Sequence, residues 1–574
     1  MPRILGFGGS GHDWSCCLLD ADGSVLSVDE AALTRLKYGI GADLLRSRAR
    51  EACVAAGGLD AAMVDHAVAC DLVPLPLAAP FRRRLTRIRH HLAHAYAAFF
   101  ASPFTRAAVL VADNGGSPME RNTGVEGRTR LIETVSTWRG REGRIEPLST
   151  ISGAHVLEVS RASGYYQRGE TDNSLGHLYA VVSEELGFVF AGKRGGVTED
   201  GKTMALASFG DDRFMGELSP FLSLCDDGGL EIRLADGSFR ECVRALLDRG
   251  SDALEERWAR QAAVARAAQV LLERAMVHLA ADLRRRSGEE SLALAGGVAL
   301  NCVANARIAR EAGFRDVFVL PAAGDHGTAL GSALYGRIAL AGAPPPTDLN
   351  RRLPFLGPHY PAAAVAEALD AARAAGAEPV SSPDPLASVA EALASGRVVA
   401  WFEGRLEFGP RALGHRSILA APTSEAMRDR INVAVKRRER FRPFAPVVLE
   451  RAVDEYFDVP SAAASTLPYM LVVARARPER REWIPAVVHV DGSARLQVLT
   501  PERYPTLTRL VEAFAMRTGI PVLLNTSFNL AGEPIVASPL DAVDCFLRSG
   551  ADLLYLDGHL VEQPRHAASA GGEA

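Results

Sequence analysis

One pattern occurs twice in the first half of the chain: a short apolar strand that ends in a glycine-rich turn and is followed by a hairpin. It begins at ILGFGG, residues 4–9, and returns at AAVLVADNGG, residues 107–116. The first copy is followed by SCCLLDADGSVLSVDE, with a DADG turn, and the second by TRLIETVSTW and GRIEPLSTI. Because strand, turn and hairpin form one supersecondary unit, the repeat predicts a duplicated lobe.

Two more strands with glycine-rich exits follow the second copy. SLALAGGVALN, residues 291–301, is typical of a buried strand, a Gly-Gly turn and a new helix, and DVFVLPAAGDHGTALG, residues 316–331, repeats the arrangement. Such turns point backbone N–H groups at a phosphate or a nucleotide. A long helix is predicted over residues 254–285 from its three-to-four apolar spacing. Together these patterns favour an actin-like α/β architecture.

A proline-rich stretch, residues 342–361, predicts the main domain boundary, because its consecutive prolines prevent helix and favour an extended linker. The composition then changes to helix-rich segments and strands such as VVAWFEG, which indicates a second α/β domain. The small polar tail is typical of disorder. We therefore expect an actin-like domain at 1–345, a linker at 346–364, an α/β domain at 365–565 and a disordered tail at 566–574.

The overall charge argues against nucleic acid as a partner. Lys and Arg number 64 against 69 Asp and Glu, so the net charge is −5 and no global positive field is present. The sequence contains no run of about twenty apolar residues, the pattern that predicts a membrane span. Its first residues do not resemble a secretion signal. The eight cysteines include no CxxC pair, which favours reduced core residues. We expect a cytoplasmic monomer or homodimer without membrane contact.

A histidine pair suggests a metal site. In RHHLAHAYAAFF, His90 and His94 lie four residues apart and so on one helical face. Asp113 and Asp325 each follow an apolar strand. Two imidazoles with two carboxylates suit iron(II), manganese or zinc better than calcium or magnesium. A histidine pair on an alanine-rich helix is also common as an ordinary surface or core feature.

Two other residues of the first half are candidates for chemistry. His12 lies with Asp13 in the first glycine turn, where an imidazole acts either as a general base or as a cap of neighbouring backbone. Lys202, in GKTMALASFG, lies at a predicted helix start, where it either meets phosphate or is a solvated lysine.

The second half concentrates cations in two segments, GRLEFGPRALGHRSILAAP and RDRINVAVKRRERFRPFAPVVL. Arginines beside glycine, proline or aromatic residues favour bidentate contact with phosphate or carboxylate. NTSFNLAGEPIV adds uncharged donors after a buried strand. The candidates for an anion site are Arg411, Arg416, Lys436, Arg442, Asn525 and Ser527. For Arg437, Arg438 and Arg440 we favour a solvated basic helix.

These motifs resemble, in order and over nearly the whole length, those of the antibiotic- and nodulation-type carbamoyltransferases. They are GHD, TRLKYG, HHLAHA, VLVADNGG, GKTMALASFG, LAGGVALN, PAAGDHGTALG, GPRALGHRSILA, KRRERFRPFAP and LNTSFNLAGEPIV. That family joins an actin-like domain to a YrdC-like domain. The resemblance implies that the second domain makes carbamoyl-adenylate from carbamoyl phosphate and ATP. The first domain would then transfer the carbamoyl group to a hydroxyl of a small natural product, as in antibiotic tailoring.

The resemblance also implies site residues. His12 would deprotonate the acceptor, with Lys37 as a neighbouring charged position. Iron is the ion implied for the histidine–aspartate site. Carbamoyl phosphate would be held by Arg411, Arg416, Lys436, Arg442 and Ser527. The nucleotide would be held by Lys202, Gly296, Gly297, Asn301 and Asn525, of which the glycines and Asn301 match the adenylate-facing turn.

Two departures from the family pattern concern the acceptor. The chain has DEAALTRLK where relatives often carry a glutamate-rich segment, and NGGSPMERN after the first metal aspartate. We expect residues 153–177 and 211–250 to help shape the acceptor pocket. The alternatives are a threonylcarbamoyl-type tRNA-modifying enzyme, which the net charge disfavours, and a sugar-kinase-like ATPase, which would leave ADP.

Overall fold

The computed structural model describes residues 2–563 apart from 59, 120–128, 157, 160–165, 168–169, 193–194 and 252. The predicted tail at 566–574 lies outside the described residues. The first half is organised around two five-stranded sheets. The strands of the first sheet are β1 (Ile4–Gly8), β2 (Ser15–Leu19), β3 (Val25–Asp29), β4 (His66–Cys70) and β5 (Leu85–Ile88). Their order in the sheet is β3-β2-β1-β4-β5.

The second sheet repeats this arrangement. The strands of this region are β6 (Arg106–Ala112), β7 (Thr129–Arg141), β8 (Arg144–Val156), β9 (Glu158–Val159), β10 (Tyr166–Gln167), β11 (Val189–Gly192), β12 (Gly195–Thr198), β13 (Leu222–Leu224), β14 (Leu230–Ile232), β15 (Ser291–Ala295) and β16 (Asp316–Val319). The five-stranded sheet has the order β16-β15-β6-β7-β8, and strands β9 to β14 form three small hairpins.

The two sheets share one topology. In each, the first strand of the lobe pairs antiparallel with a hairpin on one side, β1 with β2 and β6 with β7. On its other side it pairs in parallel with a later strand, β1 with β4 and β6 with β15. The predicted duplication and the actin-like α/β fold are thereby confirmed. The apolar strands are buried because helices cover the sheets.

Helices connect and cover these strands. Those of the first half are α1 (Glu30–Thr34), α2 (Arg48–Ala56), α3 (Leu75–Ala78), α4 (His90–Ala101), α5 (Leu175–Glu185), α6 (Asp200–Ala207), α7 (Met215–Leu218), α8 (Ser238–Leu247), α9 (Leu254–Ser287), α10 (Cys302–Glu311) and α11 (Thr328–Tyr335). Helix α9 is the predicted long helix. It ends at Ser287 and is capped by Gly288, whose φ of 69° favours glycine. Among the described helices, none is both long and apolar enough to cross a membrane.

The second half contains a mixed eight-stranded sheet of order β17-β27-β26-β18-β19-β25-β20-β24 and a three-stranded sheet of order β21-β22-β23. Its strands are β17 (Glu378–Val380), β18 (Val399–Phe402), β19 (Arg416–Ala420), β20 (Ala445–Leu449), β21 (Phe457–Asp458), β22 (Val473–Ala476), β23 (Ser493–Arg495), β24 (Gln497–Leu499), β25 (Val522–Ser527), β26 (Leu553–Leu556) and β27 (His559–Glu562). Its helices are α12 (Leu349–Arg352), α13 (Ala362–Ala374), α14 (Pro385–Ala394), α15 (Glu425–Arg430), α16 (Val453–Tyr456), α17 (Pro505–Thr518) and α18 (Pro539–Arg548).

The segment between the halves is less extended than predicted. After the prolines it forms the short helix α12, and Leu349, Leu353 and Leu356 are buried. The backbone N–H of Ser27 in β3 donates to Leu356 O at 2.9 Å. The physical reason is the spacing of these leucines, which gives the segment an apolar face to pack. The domain boundaries remain a prediction.

Helix α11 approaches β1 and α4 without intervening side chains. A Cβ added at Gly6 in β1 would lie 2.1 Å from Ala329 O, and one added at Gly331 in α11 would lie 1.8 Å from Ala93 O. Real atoms do not approach so closely, so glycine is required at both contacts. This packing fixes α11, which follows Asp325, against the helix that carries His90.

The close contact at Gly331 gives a stability prediction. Gly331→Ala should lower the free energy of unfolding by about 1–3 kcal/mol, because the new methyl group meets backbone that cannot rotate away. Gly216→Ala in α7 is the matched control, since no atom lies within 4 Å of its added Cβ. Guanidinium unfolding of the three proteins measures the difference. Equal midpoints for Gly331→Ala and the unmodified protein would show that the contact is looser than described.

Candidate functional site

A single cavity of about 1030 Å³ lies between the two halves of the chain. The turns after β1, β6, β15 and β16 line it from the first half, and three segments line it from the second half. The lining includes residues 10–13, 113–116, 297–298, 324–326, 409–412, 436–439 and 525–527. Most of the candidate residues from the sequence therefore line one cavity.

Four of them converge as a candidate metal centre. His90 and His94 project from one face of α4, and Asp113 and Asp325 follow β6 and β16. The two Nε2 atoms are 3.1 Å apart and lie 3.2 and 3.3 Å from Asp113 Oδ2. Asp325 Oδ1 lies 3.4 Å from His90 Nε2, and the four ligand atoms are all within 4.8 Å of one another.

The outer atoms of these ligands are held by neighbouring groups. Asp113 Oδ1 accepts hydrogen bonds from the backbone N–H of Asn114 at 2.8 Å and of Gly297 at 3.1 Å. The Ser10 hydroxyl donates to the second oxygen of Asp325. His90 Nδ1 lies 3.4 Å from Cys70 Sγ. Contacts of this kind orient metal ligands, because they leave the inner atoms directed at a common point.

The electrostatics of the cluster fit a cation. Burial disfavours charge on His90, but Cys70, Asp113 and Asp325 raise its pKa well above the ordinary value. Burial lowers the pKa of His94. Burial also opposes ionisation of Asp113, yet hydrogen bonds with both histidines hold its pKa well below the ordinary range. Two N–H groups cannot point at each other across 3.1 Å, whereas two lone pairs and two carboxylates can share a divalent transition ion.

His12 and Lys37 lie elsewhere along the same cavity. His12 Nδ1 lies 2.9 Å from Asp13 Oδ2, and the backbone N–H of Asp13 donates to Tyr38 O at 2.9 Å. Lys37 Nζ lies 2.5 Å from Glu199 Oε1. Asp29, which the sequence did not single out, also lines the cavity; burial raises its pKa to about 6.

Lys202 is paired with acids rather than open to a phosphate. Its ammonium lies 2.7 Å from Glu199 Oε2 and 2.8 Å from Glu439 Oε1. It is on α6, as the predicted helix start implied, but the two carboxylates already balance its charge.

The second half contributes a cluster of cations to the cavity wall: Lys436, Arg438, Arg442, Arg495 and Arg411. Burial, with the nearby charges of Arg495 and Arg442, lowers the pKa of Arg411 to about 9. Among the described residues, the guanidinium groups of Arg411, Arg442 and Arg495 have no ion-pair partner, and Arg411 Nε is buried without a hydrogen bond. Buried cations that repel one another favour binding of a polyanion.

Lys436 and the NTSFN segment form one wall of this cluster. The Lys436 ammonium donates to Ser527 O at 2.7 Å and Oγ at 3.2 Å, and to Asn529 Oδ1 at 2.6 Å. Burial lowers the pKa of Lys436 well below the ordinary value. Asn525 is buried behind them and donates to Gln497 Oε1 at 2.7 Å.

The structure places two arginines differently from the sequence expectation. Arg416 does not line the cavity, because its guanidinium donates to the carbonyl oxygens of Glu403 at 2.6 Å and Gly404 at 3.0 Å and lies over the Phe402 ring. Arg438 is not part of a solvated helix face: it lines the cavity, and its Nε donates to Asn432 at 2.8 Å. Arg437 and Arg440 are exposed, as expected, but the predicted basic helix is wrong, because the helical turn ends at Val435 and Arg437 has a φ of 49°.

The two glycines of the predicted Gly-Gly turn have different roles. Gly296 has a φ of 91°, and an added Cβ would lie 2.1 Å from Ala112 O, so it permits close packing of the turn on β6 and does not line the cavity. Gly297 and Asn301 do line it. Asn301 also caps α10 by accepting from the Ala304 N–H at 3.0 Å.

Sequence reasoning missed Arg495, Asp29, Glu199 and Glu439. Arg495 follows a glycine-serine turn in DGSARLQV, and nothing in that segment resembles an anion site. Glu439 stands within a run of cations, KRRERFR, and its isolated negative charge was the one signal available.

The metal centre gives a second prediction. His94→Gln should reduce affinity for a divalent transition ion at least about 100-fold, because one of four inner ligands is lost. His91→Gln is the matched control on the same helix, since its Nδ1 faces Ser136 Oγ at 2.9 Å instead of the cluster. Metal content by mass spectrometry and chelator competition measure both. Unchanged metal stoichiometry in His94→Gln would exclude this histidine as a ligand.

Comparison with known proteins identifies the family of the chain. The family described as Carbamoyltransferase N-terminus matches residues 64–334, and Carbamoyltransferase C-terminus matches residues 390–563. Nodulation protein NolO of Bradyrhizobium diazoefficiens is 35% identical over 479 residues, covering 83% of this chain and 79% of the relative. A 3'-hydroxymethylcephem-O-carbamoyltransferase of Amycolatopsis lactamdurans is 34% identical over 465 residues, covering 80% of each. The chain therefore belongs to the carbamoyltransferase family and is itself a carbamoyltransferase.

Proposed function

We propose that this protein is an ATP-dependent O-carbamoyltransferase. It converts carbamoyl phosphate to carbamoyl-adenylate and transfers the carbamoyl group to a hydroxyl of a small molecule. The observation that carries the proposal is that one cavity of about 1030 Å³ joins the cation cluster, the His–Asp centre and His12. We assign the first step to residues 365–565 and the transfer to residues 1–345.

The first step combines two anions. Carbamoyl phosphate and one water give carbamate and phosphate, and a carbamate oxygen then attacks the α-phosphorus of ATP. The bond from that phosphorus to the bridging oxygen breaks, and pyrophosphate leaves with the electron pair. Mutual repulsion of the reactants opposes this approach, so closely placed cations are required to offset it. Arg411, Arg442 and Arg495, with Lys436 and Arg438, meet that requirement.

The second step needs a base and protection from water. The acceptor oxygen attacks the carbonyl carbon of the adenylate, the C–O bond to AMP breaks, and AMP leaves. With Nδ1–H donated to Asp13, the His12 imidazole has its basic lone pair on Nε2, where it takes the proton of the hydroxyl. The Asp13 carboxylate fixes that tautomer and stabilises the imidazolium.

The four ligands of the His–Asp centre would hold a divalent ion, for which we propose iron(II). Such an ion supplies positive charge to an anionic intermediate. His90, His94, Asp113 and Asp325 would keep it at the end of the cavity formed by the first half.

The acceptor is proposed to be a small alcohol of the natural-product class, as the name of the cephem relative suggests. The net charge of −5 argues against tRNA as the acceptor. All eight cysteines are free thiols, which supports a reducing compartment such as the cytoplasm.

The activating half-reaction can be tested without knowing the acceptor. We expect carbamoyl-phosphate-dependent release of pyrophosphate and AMP from ATP. Arg442→Ala should reduce pyrophosphate release at least about 100-fold, because a charge-assisted contact to the reacting anions is lost. Arg440→Ala, at an exposed neighbour, is the control. ADP in place of AMP would favour the kinase alternative, and near-normal pyrophosphate release by Arg442→Ala would remove this residue from the anion site.

The base assignment predicts a separation of the two steps. His12→Ala should leave pyrophosphate release within about threefold and reduce carbamoyl transfer about 10²–10⁴-fold, since general-base assistance acts only in transfer. Transfer is measured with 3'-hydroxymethylcephem and a panel of small alcohols. His359→Ala, at an exposed histidine, is the control. Equal loss of both steps would indicate a structural role for His12.

A further inference from the structure

Four side chains of alternating charge cross the cavity from the first half of the chain to the second. Lys37 Nζ lies 2.5 Å from Glu199 Oε1, Glu199 Oε2 lies 2.7 Å from Lys202 Nζ, and Lys202 Nζ lies 2.8 Å from Glu439 Oε1. The side chains are 16% to 35% exposed. Two positive and two negative charges leave the chain neutral.

Glu199 is the branch point of this chain of contacts, because each of its carboxylate oxygens holds a different lysine. Burial opposes its ionisation, but Lys202 and Lys37 together hold the pKa of Glu199 below the ordinary value. Burial likewise opposes charge on Lys202, yet Glu199 and Glu439 raise the pKa of that ammonium. Glu199 and Lys202 are therefore charged, and each stabilises the charge of the other.

One end of the chain adjoins the proposed base. Lys37 is followed by Tyr38, whose carbonyl oxygen accepts from the Asp13 N–H at 2.9 Å. The Lys37 ammonium also lies 5.1 Å from the centre of the Tyr38 ring and 4.8 Å from that of Phe190. Displacement of Lys37 would therefore also displace the turn that carries His12.

The other end adjoins the cation cluster. Glu439 lies between Arg438 and Arg442 in sequence, and all three line the cavity. Its carboxylate is an acid at the edge of a group of cations, yet it pairs across the cavity with Lys202 of the first half. Without that carboxylate, Lys202 would face the arginines directly, and like charges would push the two halves apart at this point.

We infer that Glu199 and Glu439 are positioning residues that hold the two halves together through Lys202, so that the intermediate stays shielded from water between the two steps. The inference rests on the proposed function. We assign neither carboxylate a role at the reacting atoms, since each is already paired with a lysine. Their contribution is to keep the cavity closed while carbamoyl-adenylate waits for an acceptor, since water reaching it would hydrolyse it to carbamate and AMP.

The test uses the full chain with ATP and carbamoyl phosphate alone. In the unmodified protein we expect a burst of pyrophosphate close to one equivalent, then slow steady release of AMP, because the intermediate is protected. In Glu439→Gln and in Glu199→Gln the burst should keep its amplitude while steady AMP release rises about tenfold. Glu482→Gln, at an exposed glutamate of the second half, is the matched control and should behave like the unmodified protein.

The outcomes separate the possible failures. Steady AMP release that is unchanged in both variants overturns the inference, and so does a burst that shrinks in proportion, because general destabilisation would produce that result. A double variant, Glu199→Gln with Glu439→Gln, should hydrolyse the intermediate no faster than the single variants, since both act through Lys202. If the increases in hydrolysis caused by the two substitutions add, the two glutamates do not act through the same lysine. Absence of carbamoyl-phosphate-dependent pyrophosphate release from the unmodified protein would instead overturn the proposed function, whereas steady release without a burst would show an unprotected intermediate and overturn the inference alone.

Discussion

The rest of the structure depends on bringing two imidazoles and two carboxylates to one buried point. Burial of a charged carboxylate is costly unless neighbouring groups compensate. The fold supplies that compensation from several segments: the backbone N–H groups of Asn114 and Gly297 and the Ser10 hydroxyl donate to the carboxylates, and the Cys70 thiol contacts the imidazole of His90. These come from both lobes, so the duplicated topology is what allows the cluster to exist. The close contacts of α11 with β1 and α4, which require Gly6 and Gly331, fix the helix that follows Asp325 against the helix that carries His90.

The cavity has opposite polarity at its two ends, and this separation fits a reaction in two steps. The first half presents buried carboxylates beside histidines, whereas the second presents arginines whose charges are not balanced by acids among the described residues. A polyanion is attracted to the arginines. The chain of contacts from Lys37 to Glu439 runs from beside the His12 turn to the edge of the cation cluster, and its two positive and two negative charges add no net charge to the cavity.

Local sequence signals were sufficient for the lobes, the long helix and the convergence of the two histidines and two aspartates of the His–Asp centre. His90 and His94 follow helical spacing, and an aspartate directly after a buried strand lies at the edge where strands of a sheet meet the cavity. The signals failed where neighbours distant in sequence decide. Arg416 resembles Arg411 in its glycine-rich surroundings, but carbonyl oxygens of Glu403 and Gly404 and the Phe402 ring bind it. Arg495 reaches the cation cluster because β23 pairs with β22 and places it near Arg411, which is distant in sequence.

The contacts of Lys202 likewise depend on residues that its local sequence does not reveal. A lysine at a helix start is typical of phosphate contact, yet here two glutamates from different halves of the chain bind it. An incoming phosphate would have to displace both carboxylates from Lys202. Binding to the other cations of the cavity does not carry that cost. The arrangement is better suited to joining the halves than to holding the nucleotide. In the proposed reaction, the cation cluster would attract the substrate, and the lysine–glutamate chain would keep water from the intermediate.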